Sequence, residues 1–158
     1  MTRALIDDLV AARAALLDAV ERAGPALTAP GPVGEWGARE LVAHLGYWVG
    51  HAVETIHAVE EGRAGEVGAG LPPTDEVNDT VARVARETDL ATVRKREAAS
   101  VEALLERLRR MDPGLLAVLL PDGLTLEASI REDGPDHYRE HAEDLQRALE
   151  GHDGARGD

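Results

Sequence analysis

Leu126, Ile130, Gly134, His137, His141, Leu145 and Ala148 follow one another by steps of four, four, three, four, four and three. Only an α-helix keeps residues at that spacing on one face, so the stripe predicts a helix whose inward side carries two histidines. Thr125 is positioned to cap its start. Gly134-Pro135 falls inside the stripe, and a proline there removes one backbone hydrogen bond and clashes with the carbonyl of Arg131, so a kink or a restart is expected. One helix cannot bury its own stripe. The rest of the chain must supply partners for it.

Those partners are legible as further stripes. Leu5, Leu9, Ala12, Leu16 and Val20, with Leu17 beside them, predict a first amphipathic helix that stops near Gly24-Pro25. Pro30 and Pro32 keep the next residues from resuming it. Leu41, Leu45, Trp48, Ala52, Ile56 and Val59 predict a second helix over 38–61, and His44 and His51 fall on or beside its stripe. Residues 62–73 are glycine-rich, end in Pro72-Pro73 and read as a long, mobile crossover that lets the flanking helices run parallel. Thr74 is then a candidate cap. Val77, Val81, Val84 and Ala85 continue through Val93, Val101, Leu104, Leu105 and Leu108 as one long third helix, which Asp89 interrupts or caps again. Residues 115–120 are equally compatible with a helical turn and an extended segment. The expectation is an all-α four-helix bundle formed by residues 1–150, one domain, with 151–158 as a frayed tail.

Composition supports helices and narrows the partners. The chain has 158 residues, no phenylalanine and 3% aromatic residues, so aliphatic side chains must fill the core. Its formal charge of -13 repels phosphate backbones and anionic lipid headgroups, which argues against nucleic acid and membrane surfaces as partners. Acidic residues within the first stripe exclude a signal-peptide core or a membrane span, and a cytoplasmic location is the default expectation. With no cysteine, a metal site can use only imidazole and carboxylate.

Histidines at i and i+4 bring their β-carbons to about 6 Å, close enough to share one divalent ion. A third ligand must come from another helix, and spacing leaves both His44 and His51 open. Three neutral imidazoles would leave one coordination position free, the arrangement of a reactive zinc site. Inward histidines can equally be hydrogen-bonded core residues. His137 to His141 also fits the H-x-x-E-H pattern of certain zinc peptidases, with Glu140 as the candidate catalytic base, although the pattern is short and arises by chance. Trp36 and Tyr138 are candidate walls of a ligand pocket near the histidines.

The run from Glu35-Trp36-Gly37 through Glu40-Leu41-Val42-Ala43-His44-Leu45, then Asn78, then Asp136-His137-Tyr138-Arg139-Glu140-His141 through Leu145 resembles the DinB-like superfamily. That superfamily includes the N-terminal domain of mycothiol-dependent maleylpyruvate isomerase. The resemblance implies an up-down-down-up bundle and selects His44, with His137 and His141, as the ligands of zinc or nickel. It further implies thiol chemistry with mycothiol, bacillithiol or glutathione, in which an open metal position binds the thiol and lowers its pKa. Members of this kind often pair as homodimers. The maleylpyruvate isomerases carry an additional C-terminal domain, for which this chain has no counterpart, so their substrate does not transfer.

The resulting expectation is a metal-dependent S-transferase or isomerase acting on small electrophiles with a low-molecular-weight thiol. The competing readings are a non-catalytic bundle that binds a small molecule or a partner, and a metal-dependent hydrolase using Glu140.

Overall fold

A computed structural model describes residues 2–155 and shows a bundle of helices with one small hairpin. Helix α1 (Thr2–Ala23) buries Leu5, Leu9, Ala12, Leu16 and Val20, as its period demands, while Leu17 is only half-buried and Ala19 takes the inward place beside the stripe. Each leucine so buried contributes about 1.5–3 kcal/mol of transfer free energy.

The proline-rich stretch after α1 is not a plain loop. Strands β1 (Thr28–Gly31) and β2 (Gly34–Gly37) pair antiparallel, with Ala29 opposite Trp36. Ala29 and Trp36 point into the core and their neighbours point out, the period of two expected of a half-buried hairpin. Gly31 is required here: a β-carbon on it would lie 2.4 Å from the Trp36 ring. Pro30, Gly31, Pro32, Gly34 and Gly37 concealed this signal.

Helix α2 (Ala38–Glu60) begins at a cap in which the Glu40 carboxylate accepts the Gly37 amide at 3.0 Å. The crossover that follows holds a short 3₁₀ turn (Ala64–Glu66) and places Gly62, Gly68 and Gly70 at positive φ. The expected long third helix is two. Helix α3 (Thr74–Arg86) and helix α4 (Leu90–Arg110) are separated at Asp89, whose side chain accepts the Thr92 amide and caps α4. Thr74 is the first residue of α3 rather than its cap, which is Pro73.

The buried face of α3 also departs from the expected stripe. Val77, Asn78, Ala82 and Ala85 face inward, whereas Val84 is 43% exposed. The face turns toward Asn78 because its side-chain oxygen accepts a hydrogen bond from the Trp48 indole at 3.0 Å. A second 3₁₀ turn (Pro113–Ala117) resolves the ambiguous apolar run, and Leu119 then bridges to Thr125.

Helix α5 (Leu126–Asp133) is capped by Thr125, as expected, and helix α6 (Pro135–Ala155) restarts after Gly134. Pro135 opens α6, where its missing N–H costs nothing. Residues 151–155, expected as a frayed tail, continue α6, and the remainder of that tail lies outside the described residues.

Specific contacts set the helix directions. Gly46 lies against Glu97 and Glu60 pairs with Arg107 at 2.9 Å, so residue numbers rise together along α2 and α4. Along α2 and the α5–α6 run they run oppositely, since His44 meets His137 of α6 while His51 meets Asp133 at the end of α5. Helix α1 lies along α6, held by Arg139 on Asp8 at 3.2 Å and Arg22 on Gln146 at 3.1 Å. Among the described residues no helix is long and apolar enough to cross a membrane.

Candidate metal centre

His44 sits near the start of α2 and is 1% exposed. The restart at Pro135 leaves His137 and His141 on the face of α6 that looks toward it. His44 Nε2 and His137 Nε2 are 2.8 Å apart, and one ring nitrogen from each of the three histidines falls within 4.8 Å of the others. The ring centroids form a triangle with sides of 4.6, 4.9 and 5.1 Å. His51 does not join it. Its Nδ1 instead meets Asp133 Oδ2 at 2.8 Å, so the geometry brings His44, and not His51, together with the α6 pair.

All three rings are neutral at ordinary pH. Burial first, and the neighbouring rings of the cluster second, push His44 down to about 2 and His137 down to about 4. Burial lowers His141 as well, against the opposing pull of Asp144 and Glu140. Neutral imidazoles keep their lone pairs available for a metal. Asp144 Oδ2 lies 3.2 Å from His141 Nδ1, which turns the opposite nitrogen into the cluster. His51 is pushed the other way, raised by its hydrogen bond to Asp133, and burial raises the Asp133 carboxyl, so the pair holds a proton between them.

The donor set fits a divalent ion in its spacing. Tetrahedral zinc with bonds of about 2.0–2.1 Å requires ligand nitrogens about 3.3 Å apart, within the spread seen here. In addition, Nδ1 of His44 and Nδ1 of His137 are buried without a partner in hydrogen-bonding geometry. Asn78 and the Asp133 carbonyl approach these two rings closely enough to favour their protonated forms without completing a bond. The buried Trp36 indole nitrogen is likewise without a partner, and one ring cannot bind an ion through both nitrogens, so the fit rests on the converging Nε2 atoms.

The surrounding residues divide into those that line the cleft and those behind it. A cleft of about 550 Å³ opens over the histidines, lined by the Pro30-Gly31-Pro32 turn, Trp48, His51, Asn78 and several carboxylates. Glu140 is exposed at its rim. Trp36 stands behind His44 with its ring edge-on at 5.0 Å and is buried, so it supports the site without walling the cleft. Tyr138 is a correction: it does not line the cleft. It is fully buried on the opposite side of α6, where its hydroxyl donates to Glu97. The helical period explains this, because a residue next to His137 points about 100° away from it.

Three further residues were not singled out from sequence. Asp144 lies at i+3 from His141, a spacing that could have flagged it. Asp133 gave a weaker signal at i-4 from His137. Glu97, buried between Arg13 and Tyr138, gave none, because its partners come from distant segments.

Comparisons with known proteins place these features. A crystal structure of an uncharacterised protein from Escherichia coli UTI89 superposes with a TM-score of 0.80 over 97% of this chain and 95% of that one, at 13% sequence identity, and shows a shared fold. No curated protein matches the sequence. Residues 3–131 match the family described as the mycothiol maleylpyruvate isomerase N-terminal domain, a segment that contains Trp36, His44 and Asn78 and ends before the α6 histidines. The chain therefore belongs to that DinB-like family.

Proposed function

We propose that this protein is a metal-dependent thiol S-transferase or isomerase acting on small electrophiles, with His44, His137 and His141 as the ligands of one zinc or nickel ion. The observation that carries the reading is the convergence of three neutral ring nitrogens from two helices, with the His141 ring oriented by Asp144. Imidazole donors suit zinc and nickel alike. The family name supplies the thiol class, and mycothiol is the first candidate, with bacillithiol or glutathione as alternatives.

A divalent ion held by three histidines supplies a Lewis acid that lowers the pKa of a thiol at the remaining position. The chain's own residues do the rest. Asp144 fixes the tautomer of His141, and Asn78 holds Trp48 against the cleft. Trp36 braces His44 from behind. The chain needs no cysteine nucleophile, and it has none. One domain over residues 1–150, a homodimeric state and a cytoplasmic location complete the reading.

Metal analysis of untagged protein tests the centre: about one equivalent of zinc or nickel in the wild type and a small fraction of that in His141→Ala. A metal-free wild type would leave the non-catalytic binding bundle as the better account. Conjugation of monochlorobimane with each candidate thiol tests the chemistry, where a rate no higher than that of metal-stripped protein rejects it. Glu140 at the rim keeps the hydrolase reading testable, because Glu140→Gln abolishes turnover only if that carboxylate activates water.

A further inference from the structure

His51 takes no part in the three-histidine cluster, yet it stands where two spaces meet. It borders the histidine cleft and also a second cavity, of about 600 Å³, beneath the 62–73 crossover, and among the described residues it alone lines both. Asp133 holds its Nδ1 at 2.8 Å and the Trp48 ring stands edge-on at 5.3 Å, so the imidazole is fixed in place. Nε2, on the far edge of the ring, has no partner among the described residues and is not sealed from solvent. The bond to Asp133 favours the doubly protonated ring, in which Nε2 is a donor.

Packing alone does not explain why the second cavity is open. Gly46 and Gly50 both lie inside α2, where glycine weakens a helix relative to alanine. Gly46 is needed, because a β-carbon there would lie 3.0 Å from Glu97 Cα on α4. Gly50 is not: its β-carbon would meet nothing closer than Ser100 Oγ at 3.7 Å, an ordinary contact. A longer side chain at position 50 would fill the cavity that this glycine lines. Thr55, 3% exposed, lines it too, and its hydroxyl makes no hydrogen bond among the described residues. Ala58, Val67 and Leu71 give the walls an apolar character. The one arginine there, Arg63, is paired with Glu61 and Glu66, which leaves no free base for an anion. The volume is that of a small-molecule site.

We infer that the cavity beneath the crossover is the subsite of the electrophile, and that it takes an uncharged molecule with an apolar body and an acceptor oxygen, which receives a hydrogen bond from His51 Nε2 at the edge of the histidine cleft. The inference rests on the thiol-transfer reading above, in which the thiol occupies the cleft. Two adjoining spaces that share one hydrogen-bonding residue give a two-substrate transfer the proximity it needs.

The probe is 4-dimethylaminoacetophenone, an uncharged aryl ketone whose absorption band moves to longer wavelength when its carbonyl oxygen accepts a hydrogen bond. Metal-free wild type is expected to bind it with a long-wavelength band, and His51→Leu is expected to lose that band. Gly50→Leu is expected to melt no lower than the wild type, since leucine favours the helix, yet to bind the ketone about tenfold more weakly because its side chain fills the cavity. In metal-loaded protein the ketone is expected to inhibit conjugation competitively with monochlorobimane and not with the thiol. No binding by the wild type, the same band in His51→Leu, equal affinity or a lower melting temperature in Gly50→Leu, or inhibition that is not competitive with monochlorobimane overturns the inference and leaves the transferase standing. A wild type that binds the ketone as described but shows no metal-dependent conjugation overturns the thiol-transfer reading, and this inference with it.

Discussion

His137 and Tyr138 are neighbours in sequence, yet they enter two buried polar clusters that the fold treats differently. Tyr138 donates to Glu97, whose two oxygens also receive Nε and Nη2 of Arg13 at 2.8 Å each, so the cluster ties α1, α4 and α6 together with its buried carboxylate paired. The Glu97 bond raises Arg13, and burial raises Tyr138, which keeps the phenol protonated as a donor. The histidine cluster, one helical face away, is left with orphaned nitrogens and no charge to offset its burial. A satisfied network fixes how α6 is rotated, whereas three neutral rings converging through their Nε2 atoms leave lone pairs free for an ion. Metal removal should therefore spare the first, and its disruption should cost fold stability before it costs chemistry.

The largest effect should come from breaking the satisfied cluster. Glu97→Ala strands Arg13, which is 27% exposed, and the Tyr138 hydroxyl, and losing one partner of a buried pair costs about 3–5 kcal/mol. Urea unfolding of metal-free protein measures it, and a loss under 1 kcal/mol would mean the cluster does not hold the bundle. Metal should act on the other region alone. At a zinc concentration of 100 times its Kd, the wild type should gain about 2.7 kcal/mol of unfolding stability, and His44→Ala or His141→Ala essentially none. Equal gains in all three proteins would move the metal elsewhere.

Acidification probes the histidine region. His44 and His137 have folded pKa values of about 2 and about 4, below the unfolded value near 6.5. Below pH 6.5 the unfolded chain binds protons that the folded rings refuse, so the stability these rings contribute is complete above that pH and is lost as pH falls. His51, raised by Asp133, works in the opposite direction and offsets part of the loss. Between pH 7 and pH 5 the metal-free protein should lose about 2 kcal/mol net. Glu97→Ala should show the same slope, whereas a flat profile would show that the histidines titrate normally.

These regions were unequally legible in the sequence. The stripes of α1, α2 and the α5–α6 run were readable because each repeats at a helical period that a few leucines declare. The break at Gly134-Pro135 was readable too, since proline acts locally. The histidine pair followed from the same period, but selecting His44 over His51 required a resemblance first and then a distance, because both lie beside one stripe. The hairpin was hidden by its prolines, and the face of α3 was set by the Trp48 bond to Asn78, a tertiary contact that no local pattern encodes. Glu97 was invisible for the same reason: a buried glutamate looks like a surface one until Arg13, 84 positions away, is in place.

The smallest effect probes where the two regions meet in kind. Asp144 is a carboxylate bonded to a histidine, like the satisfied cluster, yet it serves the unsatisfied one by orienting His141. Carboxylates that orient metal-bound histidines are worth about 10–100-fold in metal affinity. Asp144→Asn keeps an acceptor of similar size but removes its charge, which places it at the low end, near tenfold, or about 1.4 kcal/mol. Competition against a chromophoric chelator reads the affinity directly. Because the contact is 3.2 Å long and Asp144 also faces Arg147 at the surface, metal-free stability should shift by no more than about 0.5 kcal/mol. If instead stability falls while affinity holds, Asp144 belongs with Glu97 as a brace of the bundle, and the division between the two clusters does not follow metal binding.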